Sequence, residues 1–191
     1  DDPYSAAFIV KTVLEANGLV QGYSYWTCSD IFEENDFPSV PFQGGFGLLN
    51  IPGIAKPAYR AFQLLHELGT EMVPVKGSHE TVDAWLVRGD QNVSLILTNF
   101  ALPRHPISEE LVSFTIENPK PIKEAAIRRI DLEHANAKRR WEQMGKPEYL
   151  TAEMVAELNQ VSQLVKEPLP WKHEAENVVL EVTMPPQSVA V

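Results

Sequence analysis

The sequence is poor in cysteine and has no long hydrophobic run. Cys28 is the single cysteine among 191 residues, so an intramolecular disulfide is excluded. No apolar stretch approaches the roughly 20 residues that a membrane-spanning helix needs, and no signal peptide opens the chain. The missing disulfides leave the compartment undecided, with the cytoplasm slightly favoured over secretion. A nucleophilic Cys28 would need a lowered pKa and a histidine partner, and its neighbours supply neither.

Positive charge is also scarce. The 16 Lys and Arg residues stand against 26 Asp and Glu residues, which gives a net charge of −10. Such a surface repels phosphate backbones, so nucleic acid is not an expected partner. The histidines are scattered without a second histidine at helical spacing, and the glycines at 44, 45 and 47 lack the context of a phosphate loop. We therefore expect no metal, no cofactor and no membrane partner.

The first residues predict a helix followed by a strand. The helix is expected from about Pro3 to Ala16, because proline suits its first turn and a glycine follows its end. Residues 22–29 are rich in aromatic and β-favouring side chains and are long enough for one strand. Alternation places Trp26 on the face opposite Tyr23 and Tyr25. Neither face is charged, so we expect both to be covered, as in a parallel sheet.

A long loop and a second helix come next. Residues 30–54 show no sustained period, but their aromatic content favours an ordered loop that packs over something. Pro57 suits the first turn of the second helix, and Gly69 is expected to cap its end. Apolar residues recur at helical spacing at Ala58, Ala61, Phe62, Leu65 and Leu68. Helix, strand, loop and helix in this order are typical of the last units of a β/α repeat.

Beyond residue 69 the pattern changes to alternation of apolar and polar residues. The runs 82–87 and 93–99 flank a turn that is typical of a hairpin. Further strands are predicted at 111–117, 178–183 and 188–191. One-sided alternation with hairpin turns indicates an antiparallel sheet or sandwich.

One helical insertion is expected between these strands. Thr151 suits its N-cap, Glu153 is favourable in its first turn, and an apolar stripe runs from Met154 to Val165. The basic cluster 138–140 lies among acidic residues and is interpreted as a solvated helix face. The boundary between the two parts falls near residue 70. Because no flexible Gly or Ser linker separates them, they should pack together.

The segment around Trp26 is the best candidate for a binding site. A tryptophan at the end of a barrel strand, followed by Asp30, Glu33 and Glu34, suits carbohydrate. Sugar C–H faces pack on flat aromatic rings, and carboxylates accept hydrogen bonds from hydroxyls. Sites in β/α barrels also lie at the C-terminal ends of strands. The alternative is a core Trp26 with both glutamates on a solvated loop, and the residues alone slightly favour that alternative.

Catalysis by this chain alone is not expected. Retaining hydrolysis of a glycoside needs two carboxyls roughly 5–5.5 Å apart in different environments. Glu33 and Glu34 are adjacent in sequence, so in an extended chain they point to opposite sides. They could not flank one bond.

Three stretches closely resemble glycoside hydrolase family 39. They are residues 23–34 (YSYWTCSDIFEE), 41–50 (PFQGGFGLLN) and 56–59 (KPAY). These stretches resemble the eighth strand, the following loop and the last helix of that family, which includes β-xylosidases and α-L-iduronidases. The residues in these stretches are more similar to the xylosidase branch of the family. Residues 131–149 and the proline-rich terminal strand are similar to the family's C-terminal β-domain.

The resemblance implies a fold and an activity. Residues 1–69 would be the end of a catalytic (β/α)8 barrel, and residues 70–191 an antiparallel β-sandwich domain with one helical insertion. The family releases xylose from xylo-oligosaccharides with retention, through two catalytic glutamates whose motifs do not occur here. The chain also opens at Asp1 and enters directly into a helix, so we expect a piece of a longer enzyme that is inactive alone.

The resemblance also implies roles for individual residues. Trp26 would wall the subsite of the cleaved sugar, and Glu33 or Glu34 would hydrogen-bond its hydroxyls, with Glu34 preferred. Asp30 is expected to be structural, bonding backbone at the strand end. Cys28 departs from the phenylalanine expected in much of the family, which affects the fine details of the pocket.

Two other interpretations of the second part stay open. It could be a free-standing carbohydrate-binding module, although an exposed aromatic row is not evident in its sequence, or it could be a structural brace that buries the barrel's last helix. One strand and two helices cannot close a barrel, so residues 1–69 should expose apolar faces. We expect them to pack differently from a full barrel, to associate with another copy, or to be complemented by a preceding polypeptide.

Overall fold

The structure of the protein is a computed structural model that describes residues 1–31, 40–117, 119 and 121–191. Within these residues it contains four helices and ten strands. The helices are α1 (Pro3–Glu15), α2 (Pro57–His66), α3 (Ala137–Gln143) and α4 (Ala152–Val161). The strands are β1 (Glu71–Val73), β2 (Val82–Arg88), β3 (Val93–Asn99), β4 (Glu110–Ile116), β5 (Ala126–Ile127), β6 (Arg129–Ile130), β7 (Glu167–Pro168), β8 (Trp171–Glu174), β9 (Asn177–Met184) and β10 (Ser188–Ala190). The chain is therefore a mixed α/β structure with antiparallel sheets.

Helix α1 forms where the sequence predicts it. Pro3 lies in the first turn, where its missing N–H costs no hydrogen bond. The helix ends at Glu15, and Gly18 then turns the chain with a φ of 78°. The buried face is made of small and β-branched residues: Ala6, Ala7, Ile9 and Val10.

Helix α2 ends earlier than expected. It stops at His66, so Gly69 is not its cap. The glycine is needed for a different reason, because a Cβ at Gly69 would lie 2.2 Å from the carbonyl oxygen of Arg88. This close approach lets the end of β2 pass over the chain that leaves α2. The buried face includes Leu64 and, unexpectedly, Arg60.

The strand predicted at 22–29 does not form. Residues 22–28 belong to no strand, and Ser29 makes one isolated parallel bridge to Leu49. The expectation that both faces are covered is also wrong, because Ser24, Trp26 and Cys28 are exposed. The physical reason is pairing: a strand is held by ladders on its edges, and among the described residues this segment has one isolated bridge and no ladder.

The second part contains the predicted antiparallel strands. One sheet has the order β1-β2-β3-β10-β6, a second has β4-β9-β8, and β5 pairs with β7. The β2–β3 hairpin aligns Val82 with Asn99 and Arg88 with Val93. The five-stranded and three-stranded sheets share a core cluster: Leu97, Ile127, Val182, Met184 and Ala190. The two sheets therefore pack on each other through this cluster.

The prediction of a single helical insertion is wrong, because two helices lie between β6 and β7. Asn136 caps α3 by accepting a hydrogen bond from the Arg139 amide at 3.2 Å. Helix α3 is short, so its buried tryptophan gave no helical period in the sequence. Thr151 caps α4 as predicted, accepting from the Met154 amide at 3.3 Å. Helix α4 ends at Val161, before Val165, which is exposed.

A shared core joins the helices to the sheet across residue 70. Its buried members come from both sides: Ala6, Ala7, Ile9, Val10, Ala58, Ala61 and Leu64 from the helices, and Val87, Ile96, Ile130 and Val189 from the five-stranded sheet. The expectation that the two parts pack together is thus confirmed. No helix among the described residues is long and apolar enough to cross a membrane.

Candidate sugar-binding site

Trp26 lies on an irregular segment that is anchored on one side. Tyr25 packs on Phe62 of α2 with ring centroids 5.7 Å apart, and Tyr23 approaches the same ring at 6.4 Å. The indole of Trp26 is 69% exposed, and the Trp26–Thr27 peptide bond is cis. The two tyrosines thus fix the segment against α2 while the tryptophan faces outwards. As predicted, Trp26 faces the side opposite Tyr23 and Tyr25, although the segment is not a strand.

Backbone hydrogen bonds tie the segment to the glycine-rich turn at 44–47 and the residues after it. The Thr27 amide donates to the Phe46 carbonyl at 3.4 Å, and the Leu48 amide donates back to the Thr27 carbonyl at 3.0 Å. The Asp30 amide donates to the Leu49 carbonyl at 2.9 Å. These bonds follow a parallel register, continuous with the Ser29–Leu49 bridge. The turn therefore sets the position of the backbone next to Trp26.

A buried charge cluster of Asp1, Asp30 and Lys56 lies beneath the turn. The Lys56 side chain is 1% exposed, and its ammonium lies 2.7 Å from Asp1 Oδ1 and 2.6 Å from Asp30 Oδ2. It also donates to Asp30 Oδ1 at 2.8 Å and to the Gly45 carbonyl at 3.0 Å. Three charged side chains from three parts of the chain thus meet out of solvent, where each charge needs a partner.

The same cluster holds the backbone of the glycine-rich turn. The Gly47 amide donates to Asp30 Oδ1 at 2.7 Å, and the Gly44 amide donates to the Asp1 carboxylate. A Cβ at Gly47 would lie 2.2 Å from the Ser29 carbonyl carbon, so only glycine lets the two segments approach this closely. The prediction that Asp30 bonds backbone at the end of the segment is confirmed.

Burial and pairing act in opposite directions on Lys56. Removal from water lowers the pKa of its ammonium, while the hydrogen bond and charge of Asp30 raise it. Burial prevails, so the pKa lies below its ordinary value of 10.5. The sequence analysis missed this lysine. A signal was available, because Lys56 is the N-cap of α2, where a cation opposes the helix dipole unless carboxylates compensate it.

A second layer supports the loop from the other side. Phe42 packs against Trp141 of α3 with ring centroids 5.6 Å apart, in a cluster with Ile54, Ala137 and Leu158. Arg60 of α2 donates from Nε to the Ser162 carbonyl at 2.7 Å, at the end of α4. Burial lowers the pKa of the Arg60 guanidinium, and the carbonyl end of α4 offers it partial negative charge. Helices α3 and α4 therefore pack against the loop around Phe42 and against α2.

Of the three residues predicted to contact sugar, the structure places one. Trp26 is exposed at the outer edge of the anchored segment, whereas Glu33 and Glu34 lie outside the described residues. Asp1 and Asp30 are engaged by Lys56 and by backbone amides, so they are not available as a catalytic pair. Within the described residues, no group of three His, Cys, Asp or Glu side chains could hold a metal ion. What this site offers chemically is an aromatic surface on a rigid base.

Comparisons with known proteins identify a family that the chain resembles along most of its length. The model of the glycosyl hydrolases family 39 matches residues 1–178. A β-xylosidase of Caldicellulosiruptor saccharolyticus is 42% identical over 99% of this chain, and one of Geobacillus stearothermophilus is 32% identical over 83% of it. A monomeric β-xylosidase from Caulobacter crescentus CB15 superposes on the whole chain with a TM-score of 0.76 and 27% identity.

These matches place the chain in the class of glycoside hydrolases. More narrowly, it belongs to glycosyl hydrolases family 39. The chain spans 40% of the length of the first of these relatives, 31% of the second and 41% of the Caulobacter structure.

Proposed function

We propose that this chain is the C-terminal part of a retaining β-xylosidase that releases xylose from xylo-oligosaccharides. Residues 1–69 would complete a (β/α)8 barrel, and residues 70–191 would form a β-sandwich domain attached to it. The two catalytic glutamates would come from the part of the enzyme that this chain does not contain. The names of two relatives and of one structural neighbour, all β-xylosidases, support the activity.

The observation that carries the proposal is the presentation of Trp26. The indole is exposed, yet its backbone is anchored through Phe62, the glycine-rich turn and the buried charge cluster. A large exposed aromatic on a rigid base is typical of a ligand contact. In the proposed enzyme this ring packs on the xylose that is cleaved off, and Glu33 or Glu34 binds its hydroxyls. Binding the sugar here orients its anomeric carbon towards the absent glutamates.

For residues 70–191 we propose the role of a structural brace. The core shared by α1, α2 and the five-stranded sheet favours this role over that of an independent binding module. A brace would have to bury the helices of the barrel, and the packing of Val87, Ile96, Ile130 and Val189 on α1 and α2 supports this role.

Turnover of an aryl xyloside tests the proposal. The isolated 191-residue chain should release no aglycone, because it lacks both glutamates, whereas the complete enzyme should release it with xylose as the product. Turnover by the isolated chain would contradict the division of the catalytic machinery. A complete enzyme that does not hydrolyse xylosides but cleaves another glycoside would contradict the proposed substrate.

Calorimetric titration of the isolated chain with xylobiose tests the brace. A brace gives no heat of binding, whereas a carbohydrate-binding module binds without the barrel. Tight binding that survives Trp26→Ala would place a sugar site in the second part and overturn the brace.

A further inference from the structure

We propose that Phe46 is a second aromatic contact for the bound sugar, held next to Trp26 by the buried charge cluster of Asp1, Asp30 and Lys56. The inference rests on the proposed function, since it concerns the same subsite. It adds a residue that lies outside the acidic segment after Trp26 and that the sequence analysis did not single out.

The register of the two segments brings Phe46 to Trp26. The pair of hydrogen bonds between Thr27 and residues 46 and 48 aligns Thr27 with Gly47 in a parallel register. The Phe46 carbonyl accepts the Thr27 amide at 3.4 Å, so the backbone of Phe46 lies beside the Trp26–Thr27 peptide bond. Phe46 and Trp26 are therefore neighbours across the junction of the two segments.

Both rings face away from the packed interior. Phe46 is 57% exposed and Trp26 is 69% exposed, although each sits on backbone that is fixed by hydrogen bonds. A phenylalanine at a turn is ordinarily either covered by a neighbour or carried on mobile backbone. Here three charged side chains hydrogen-bond the backbone on either side of Phe46. Asp1 accepts from the Gly44 amide, Lys56 donates to the Gly45 carbonyl, and Asp30 accepts from the Gly47 amide.

The surroundings of the two rings favour a sugar over a protein partner. Near them in sequence, the exposed residues Ser24, Gln43 and Gly44 are polar or small, and the larger exposed side chains are Tyr23 and Ile31. A protein–protein interface of standard size requires a broader apolar core than two rings. A small apolar platform with polar groups around it matches a pyranoside, which has C–H faces bounded by hydroxyls.

The test uses the complete enzyme and measures inhibition by its product, xylose. Phe46→Leu keeps an apolar side chain of similar volume but removes the flat ring, and Phe46→Tyr keeps the ring. We expect Phe46→Leu to raise the inhibition constant of xylose about three- to ten-fold and Phe46→Tyr to leave it within about two-fold. Leu111→Ala, at another exposed apolar position on β4, is the control and should leave the inhibition constant of xylose unchanged.

The outcomes separate this inference from the proposed function. If Trp26→Ala weakens xylose inhibition while Phe46→Leu leaves it unchanged, the proposed function stands and the role of Phe46 is wrong. A fall in melting temperature without a change in xylose inhibition would show that Phe46 packs against polypeptide, which also overturns it. A complete enzyme that xylose does not inhibit, and that does not cleave xylosides, would remove the proposed function itself.

Discussion

The region around Trp26 and the sheets after residue 70 are held together by different means. The sheets rest on regular ladders, such as the seven aligned pairs of β2 and β3, with apolar side chains between them. The described residues of this region, 23–31 and 40–56, lie in no helix or strand, and three buried charges and a glycine-rich turn fix their geometry. A ladder spreads its stability over many similar bonds. The charge cluster concentrates it in a few contacts.

The difference has consequences for single substitutions. In the sheets, loss of one side chain leaves the neighbouring rungs in place. At the charge cluster, loss of one member leaves buried groups without their partner. We therefore expect the largest effects in the region that has the least secondary structure.

Lys56→Met should give the largest effect. It leaves Asp1 and Asp30 in a buried site without the lysine that pairs with both, which typically costs about 3–5 kcal/mol. Urea denaturation of the isolated chain measures the change. Lys166→Met, which removes an exposed ion pair with Glu124, is the matched control and should change the stability far less, because water screens exposed charges. Equal costs for the two lysines would remove the contrast between the regions.

Gly47→Ala should come next. The added Cβ would meet backbone of Ser29 and Asp30 at 2.2 and 2.3 Å, so the turn has to move, at a cost of about 1–3 kcal/mol. Gly22→Ala is the control, because no heavy atom lies within 4 Å of the position of its Cβ. The same denaturation experiment applies. A Gly47→Ala chain as stable as the Gly22→Ala chain would show that the turn is not tightly held.

Thr151→Ala should cost about 1 kcal/mol. It removes the side-chain oxygen that accepts the Met154 amide at the start of α4. Thr151→Ser retains the hydroxyl and should restore most of the loss. Thermal melts of the two variants measure the difference, and indistinguishable melting temperatures would count against the cap.

Glu167→Gln should have the smallest effect, and one that depends on pH. The hydrogen bond from Arg129 lowers the pKa of the Glu167 carboxyl below its ordinary value of 4.5. A lowered pKa stabilises the folded chain above pH 4.5, and this contribution disappears as the pH falls through the lowered value. The gap in melting temperature between wild type and Glu167→Gln should therefore close between pH 5 and strong acid. Glu181→Gln, at an exposed position on β9, is the comparison. A gap that stays constant over this range would contradict the interpretation.

The same contrast decides what the sequence could predict. Strands β4 and β9 carry their alternation in the sequence, a hairpin turn marks β2 and β3, and Thr151 indicates the start of α4, so these elements were expected close to where they lie. The composition of 22–29 favours a strand, but among the described residues the segment makes one isolated bridge and no ladder, so the strand does not form. Helix α3 is too short to show a period.

The residues of the candidate site also differ in how far the sequence could predict them. Trp26 stands out by its type and its place after an aromatic run, whereas Lys56 and Phe46 matter through contacts between distant segments. Lys56 meets Asp1 and Asp30 only when the loop folds back over the segment. The unfavourable N-cap position of Lys56 is the one local sign of this long-range pairing. The family resemblance identified the region, whereas the contacts that hold it exist only in the folded chain.

The most direct test of the central claim is the affinity of the complete enzyme for xylose with and without the indole of Trp26. Isothermal titration of wild type, Trp26→Ala and the control Trp85→Ala gives the three dissociation constants. We predict that Trp26→Ala weakens binding about ten-fold or more, while Trp85→Ala, on β2, binds like wild type. Unchanged affinity in a folded Trp26→Ala enzyme would contradict the claim that this tryptophan faces the bound sugar.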